Sequence, residues 1–333
     1  MIETSWIVGT GILLALAFDF GNGLNDAANA ISTIVATRVL SLRAAVLLSA
    51  FFNFVAAFVF STAVAETMGK GVVDPAAIDG FVVIAGLISS VVWVYGLSWL
   101  GLPISASHSL VGGLVGASVA AAGWGVVQSA GLMKILAFIF FAPVLGLIFG
   151  YAFSLVVRLL IKSVPPGKIQ EQFRRLQLIS VSVYSLGHGA NDAQKTMGII
   201  TLLLFTGGYI SDFHVPAWVV FASHTTIALG TLAGGWAVVK TMGTQITKLR
   251  PIDGFCAETA GAGVIIGSSM LGIPVSTTHV ITGSISGVGT LNRTTAVNWS
   301  IAKRIMYAWF LTIPLTALAA AAVYFAMNAA LGI

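Results

Sequence analysis

One polar motif stands twice inside apolar runs. Gly187 to Lys195 reads Gly-His-Gly-Ala-Asn-Asp-Ala-Gln-Lys, and Gly21 to Ala30 reads Gly-Asn-Gly-Leu-Asn-Asp-Ala-Ala-Asn-Ala. At one constant offset, Gly21, Gly23, Asn25, Asp26 and Ala27 align with Gly187, Gly189, Asn191, Asp192 and Ala193. Three further blocks recur in the same order. Thr67-Met68-Gly69 and Ile78-Asp79-Gly80-Phe81 return at a shared spacing as Thr241-Met242-Gly243 and Ile252-Asp253-Gly254-Phe255. Gly101-Leu-Pro103-Ile-Ser105-Ala-Ser107-His108 returns as Gly272-Ile-Pro274-Val-Ser276-Thr-Thr278-His279, with Gly112 and Gly116 matching Gly283 and Gly287. Ala137, Phe138 and Pro143 match Ala308, Trp309 and Pro314 at the same spacing as that block. Four ordered blocks require a duplicated architecture of halves about 160 residues long.

The solvent of this architecture follows from composition. Of 333 residues, 57% are hydrophobic and 8% charged, where a soluble domain carries about 25% charged residues. The chain reads as an all-α polytopic membrane protein. Its net charge of +5 would suggest nucleic acid in a soluble protein; here Lys and Arg cluster in short loops and report orientation, so no nucleic-acid partner is expected. The single Cys256 excludes an intrachain disulfide. No Lys or Arg precedes the first apolar run, so that run is expected to be a retained span and not a signal peptide.

Apolar segments run near 5–39, 42–66, 80–100, 104–122, 131–161, 173–206, 216–239, 252–271, 275–291 and 303–330. As one helix, segment 5–39 would be about 52 Å long, well beyond a hydrocarbon core of about 30 Å. It must tilt, break or double back, and Gly21-Asn22-Gly23 is the expected break. Segment 173–206 has the same excess, with its expected break at Gly187-His188-Gly189. The stretch around Arg158, Lys162, Lys168, Arg174 and Arg175 places a central linker in the cytoplasm. Counting outward puts Arg38, Arg43, Lys240, Lys248, Arg250, Arg293, Lys303 and Arg304 inside, and Asp74, Asp79, Asp212 and His214 outside. Only Lys70 sits on the wrong side. An odd number of crossings per half makes the halves inverted and puts both termini outside. The expected organisation is a first inverted repeat over 1–161, a cytoplasmic linker over 162–172 and a second repeat over 173–333. Each repeat has about five to six spans, with broken or re-entrant helices at the midplane.

Two constellations carry the chemistry. Asn25, Asp26 and Asn29, with Asn191, Asp192, Gln194 and Lys195, form the first. Asp26 and Asp192 hold equivalent places in inverted halves and are expected to meet near the midplane. Two close carboxylates need a cation, a shared proton or a basic partner, and Asn and Asp oxygens suit a hard cation such as Na⁺. Helix capping is the plainer role for these residues, less so for Asp than for Asn29. Glu258, deep in an apolar segment with Leu87 in its equivalent place, is a candidate for a second cation site. The second constellation is Pro103, Ser105, Ser107 and His108 with Pro274, Ser276, Thr277, Thr278 and His279. Proline followed by hydroxyls and an apolar run marks a helix start, and two such starts would offer N–H groups and hydroxyls to a tetrahedral oxyanion. Capping by Ser and Thr and close packing at Gly are the alternative. Candidate anion contacts are Ser105, Ser107, Ser276, Thr277, Thr278, Gln194, Asn25 and Asn191. Candidate cation ligands are Asp26, Asp192, Asn25, Asn29, Asn191 and Glu258. His108, His279 and Lys195 are auxiliary candidates, with a structural role open for both histidines. His188, facing Asn22 in the repeat, and His224 have no repeat partner, and His224 reads as structural.

At these residues the chain resembles the Pit family of inorganic phosphate transporters, which carries Gly-Ala-Asn-Asp motifs in both halves. The second motif is nearly intact over His188 to Lys195, whereas the first has Leu24 where Ala is usual. The Gly-Leu-Pro-x-Ser-x-Ser-His and Gly-Ile-Pro-Val-Ser-Thr-Thr-His blocks also match, and the resemblance covers essentially the whole chain. It implies a cation-coupled symporter of inorganic phosphate in the cell membrane, often dimeric, using no ATP and no cofactor beyond its coupling ion. Some relatives resemble sulfate permeases. The large loop that some members carry between the halves is absent.

The expected mechanism is alternating access between the halves, with phosphate import driven by Na⁺ in preference to H⁺. A phosphate site poor in Arg and Lys needs the cation's charge, which makes coupling a consequence of electrostatics. Sulfate transport, an anion channel and an intramembrane enzyme are the rival readings. Neither His-Glu-x-x-His nor Gly-x-Ser-x-Gly occurs to support the last of these.

Overall fold

The computed structural model describes residues 2–234, 236–292 and 294–332. Arg293, one of the cations used to orient the chain, lies outside the described residues. The described chain is built of α-helices in two matching series. The first series is α1 (Ile2–Ala36), α2 (Leu42–Val55), α3 (Ala63–Lys70), α4 (Gly80–Trp99), α5 (Ala106–Ala122) and α6 (Ser129–Leu160). The second is α7 (Pro166–Thr206), α8 (Ala217–Ala233), α9 (Trp236–Lys240) with a π turn over Thr241–Gln245, α10 (Pro251–Met270), α11 (Thr277–Asn292) and α12 (Trp299–Leu331). By length and composition α1, α4, α6 and α12 are apolar enough to cross a membrane, and α2 with α3 forms a further candidate span bent by 85°.

The glycine pairs do not break the long helices, contrary to the expectation from sequence. α1 and α7 run through Gly21-Asn22-Gly23 and Gly187-His188-Gly189 without interruption. The glycines serve close approach instead. A Cβ on Gly23 would stand 2.3 Å from the Ile227 carbonyl oxygen in α8, and one on Gly189 would stand 2.7 Å from Asn53 in α2. Ile227 and Asn53 are themselves repeat-related positions. Gly21 and Gly187 likewise face Tyr95 and Ile266, a second repeat-related pair. Each long helix therefore packs on the short bent helix of the other half. α1 is one continuous helix of 35 residues, about 52 Å long. The stretch 162–172 is also not a loop. Only 161–165 separate α6 from α7, and the charged residues beyond form exposed first turns of α7.

The breaks fall elsewhere, at α2–α3, α4–α5, α8–α9 and α10–α11. Gly101 (φ 70°) and Gly272 (φ 64°) turn the chain after α4 and α10 in the left-handed region that glycine tolerates. The segments 103–105 and 272–276 that follow are buried. Non-helical backbone at such depth is tolerated only where protein satisfies its polar groups. α5 and α11 are buried on nearly all sides, which their glycines allow. A Cβ on Gly116 or Gly287 would stand 2.1 Å from a carbonyl oxygen of α12 or α6. α5 thus packs on α12, and α11 on α6, again across the halves. The outer faces of α6 and α12 expose Phe141, Ile148, Phe149, Leu311 and Leu318, side chains suited to lipid.

Candidate functional site

The two Asn-Asp motifs sit in mid-helix on α1 and α7, and each first serves its own half. Asn25 Nδ2 donates to Ser98 Oγ (2.7 Å) and to the Leu102 carbonyl (3.4 Å). Asn191 Nδ2 donates to Ser269 Oγ (2.8 Å) and the Ile273 carbonyl (3.3 Å), and its Oδ1 accepts from the Val275 N–H at 3.2 Å. The bonds to Ser98 and Leu102 are repeat-related to those to Ser269 and Ile273. They satisfy backbone groups freed where α4 and α10 end, so both asparagines pin the broken segments to the long helices.

The broken segments then cross to the other half. Thr278 Oγ1 donates to the Ile104 carbonyl (3.0 Å), and Ser107 Oγ to the Val275 carbonyl (3.4 Å). Ser105 and Ser276 act as N-caps, their hydroxyls accepting from the N–H of His108 (3.3 Å) and His279 (3.4 Å). Two helix starts are thereby locked against each other; Thr277 and Thr278 of α11 turn their hydroxyls toward the carboxylates, and Ser107 of α5 meets Lys195.

Asp26 and Asp192 do meet. Thr277 Oγ1 lies 3.2 Å from Oδ2 of each. An oxygen of Asp26, an oxygen of Asp192 and a ring nitrogen of His188 all lie within 4.8 Å of one another. The three side chains are buried. Thr278 Oγ1 also approaches Asp26 Oδ1 at 3.3 Å, and Asn29 Nδ2 donates to Thr277 (3.3 Å) and Thr278 (2.9 Å). Lys195 Nζ donates to Asp192 Oδ1 (2.5 Å), Ser107 Oγ (2.5 Å) and the Val275 carbonyl (2.8 Å). A buried carboxylate needs such a partner, and the His188 ring nitrogen Nε2 also stands 3.2 Å from Asp192 Oδ2. His188 was not singled out as a ligand from sequence. Its signal was the helical spacing, four residues before Asp192 on one face.

The donor set fits a hard cation. Oδ1 of Asn25 and Oδ1 of Asn29 are buried with no hydrogen-bond partner, and Asn29 shares Thr277 and Thr278 with the carboxylates. Buried acceptors without donors are costly in a protein interior, and a cation would satisfy them.

Other candidates lie apart. Gln194 Oε1 accepts from the N–H groups of Val64 (2.8 Å) and Ala65 (3.3 Å), capping α3 from outside its own helix. Glu258 belongs to a separate buried cluster: Thr33 (2.6 Å) and Gln177 (2.8 Å) donate to its Oε1, and Ser180 (2.5 Å) to its Oε2. Thr37 in turn donates to Gln177 Oε1 at 2.8 Å. His108 and His279 touch edge to face at 4.6 Å, and His279 stacks on Trp309 at 3.6 Å. Pro143 has no N–H for the Ile139 carbonyl one helical turn before it, and His279 Nδ1 stands 3.3 Å from that carbonyl. That oxygen can only accept, so Nδ1 carries the proton and the ring fills the bond that proline removed. His224 Nδ1 similarly meets the Asn53 carbonyl at 2.9 Å.

Comparison with known proteins bears on the family and the fold. The model of the family described as "Phosphate transporter family" matches residues 22–320. A "probable low-affinity inorganic phosphate transporter" of Rhizobium meliloti (strain 1021) is 50% identical over 95% of each chain. One of the same description from Bacillus subtilis (strain 168) is 42% identical over 95% of this chain and 96% of its own. A solved structure titled "The sodium-dependent phosphate transporter" superposes with a TM-score of 0.89 over 97% of this chain and 99% of that one. At 24% identity it speaks for the fold alone.

Proposed function

The chain belongs to the phosphate transporter family, and on that premise we propose that it imports inorganic phosphate by cation symport at the site joining α1, α7 and the starts of α5 and α11. It is a membrane transporter and not an enzyme. The observation that carries the coupling is the buried meeting of Asp26 and Asp192, bridged by Thr277, with Asn29, whose Oδ1 is unbonded, on the same threonines. With Lys195 as the buried amine beside them, two carboxylates and a phosphate together would leave excess negative charge in a medium of low dielectric. Na⁺ bound at these oxygens brings the site toward neutrality, so neither ion binds well alone. Na⁺ is preferred to H⁺ because the unused groups are oxygen acceptors. Phosphate takes its hydrogen bonds from Ser107, Thr277, Thr278 and Lys195, once these release one another, and from the N–H groups at the two helix starts. Ser105 and Ser276 hold those starts in place. Glu258, with the hydroxyls of Thr33 and Ser180 and the amide of Gln177, forms a second buried polar cluster as the candidate for a further cation.

We assign alternating access to motion of the interlocked repeats, 1–161 and 173–333, about this site. The 162–172 stretch is cytoplasmic and both termini are outside, on the distribution of Lys and Arg. The functional unit is a homodimer, as the family resemblance implies, to be checked by native mass measurement in detergent. The decisive experiment is Asp192→Ala in proteoliposomes. Gradient-driven phosphate uptake should be abolished, and unchanged uptake would sink the assignment. Competition by sulfate, measured separately under Na⁺ and H⁺ gradients, tests the anion and the coupling ion together; inhibition as strong as that by unlabelled phosphate would favour sulfate.

A further inference from the structure

Away from the central site, Lys70 departs from the positive-inside pattern in the proposed orientation, and Lys134, which the loop count from sequence did not include, is a second exception. Lys70 ends α3, and Lys134 lies in the first turns of α6 beside the otherwise uncharged loop near Gly123. They are far apart in sequence, yet both line one open cleft of about 730 Å³. Its other walls include the hydroxyls of Ser61, Thr62 and Thr67 and the turn at Gly272. One carboxylate shares it: Glu66 stands 3.5 Å from Lys70 Nζ in an exposed pair. Such pairs are weak and leave the amine free to exchange partners. Lys134 is exposed and forms no ion pair among the described residues. The cleft thus keeps a positive balance on the face where basic residues are otherwise absent.

The cleft also leads somewhere. A second cavity of about 230 Å³ shares Ser61 and Met270 with it, and its wall includes Gln194 and Ser269. Gln194 is two residues from Asp192, and Ser269 is the partner of Asn191. The path between them passes the 85° bend from α2 to α3, whose first N–H groups Gln194 holds. The inverted counterpart on the opposite face is lined by Thr241, Gln245 and Arg304. Thr241 and Gln245 stand where the outer cleft has Thr67 and Gly71.

We propose that the cleft between α3 and the start of α6 is an outer collecting site for an oxyanion, with Lys70 and Lys134 as its charges and the Ser61–Gln194 passage as its exit toward the central site. It deepens the reading of the chain as a phosphate importer and rests on that reading. Like charges at a cleft mouth raise the local anion concentration and the capture rate, and salt screens the effect.

The test uses the chain's one native thiol to advantage. Cys256 is buried, so Lys134→Cys introduces the accessible one. Right-side-out proteoliposomes carrying this variant are treated with a membrane-impermeant methanethiosulfonate bearing either a sulfonate or a trimethylammonium group. The same folded protein then carries opposite charges at one position. The sulfonate adduct should need about threefold to tenfold more phosphate for half-maximal uptake than the trimethylammonium adduct. The difference should shrink at high ionic strength, and Lys70→Glu should act in the same direction as the sulfonate. Identical half-saturation for the two adducts overturns the collecting site while leaving phosphate transport intact. No phosphate uptake by the unaltered chain overturns the transport reading, and the collecting site with it.

Discussion

The motif on α1 and the motif on α7 begin alike and end differently. Asn25 and Asn191 make repeat-related bonds to Ser98 and Leu102 and to Ser269 and Ile273. Four residues later the equivalence stops. Asn29 reaches Thr277 and Thr278 with a neutral amide, whereas Lys195 reaches Asp192, Ser107 and Val275 with a charge. Three residues before each Asn the halves differ again. Neither amide atom of Asn22 has a hydrogen-bond partner, while His188 stands between Asn53 (3.1 Å) and Asp192. The scaffold is therefore symmetric and the electrostatics are not. Asp192 is held by the fixed Lys195 amine, with the His188 ring beside it. Asp26 is held by hydroxyls, which leaves it as the carboxylate more open to a mobile cation.

Substitutions that make the halves equal, or break their shared scaffold, test this contrast. Lys195→Asn copies the first half into the second and should have the largest effect. It removes one partner of a buried pair, which costs about 3–5 kcal/mol, and phosphate uptake should fall at least about a hundredfold. Near-normal uptake would show that Lys195 is not what separates the two aspartates. Next come Gly23→Ala and Gly189→Ala, where overpacking costs about 1–3 kcal/mol. The approach at Gly23 (2.3 Å) is tighter than at Gly189 (2.7 Å), so thermal unfolding in detergent should rank Gly23→Ala as the more damaging. Asn25→Ala and Asn191→Ala should each lose about 1–2 kcal/mol, with Asn191 the costlier by its added bond from Val275; the reverse order would mean the scaffold is less symmetric than its bonds. Smallest is Gln194→Ala, about 1 kcal/mol by loss of a cap. Hydrogen exchange at Val64 and Ala65 should speed up while α9, whose counterpart of Gln194 is Ala28, stays unchanged.

Much of this was legible in the residues, though some features were assigned the wrong work. The glycines at 21, 23, 187 and 189 were expected to interrupt helices, because glycine lowers helix propensity. That cost is small beside the packing gained when a missing Cβ lets two helices meet, and only the neighbouring helix reveals which effect wins. Two of the breaks occur instead at Gly101 and Gly272, where a positive φ and a following proline act together. The expected linker was read from charge, yet most of it is helix. Charged residues continue a helix readily once it has left the bilayer. Gln194 was grouped with the anion contacts by its place in the motif, but its side chain turns to α3, a neighbour no periodicity names.

The sequence by itself determined the solvent of this protein, its duplication and the identity of its central polar residues. Those follow from composition, fixed offsets and the cost of burying charge. The tertiary structure decided how the copies interlock and which carboxylate takes the lysine. It also decided that Glu258 keeps its own cluster and that Lys70 and Lys134 share a cleft. Such facts depend on distances between residues far apart in the chain, and helical spacing constrains only neighbours within a turn or two.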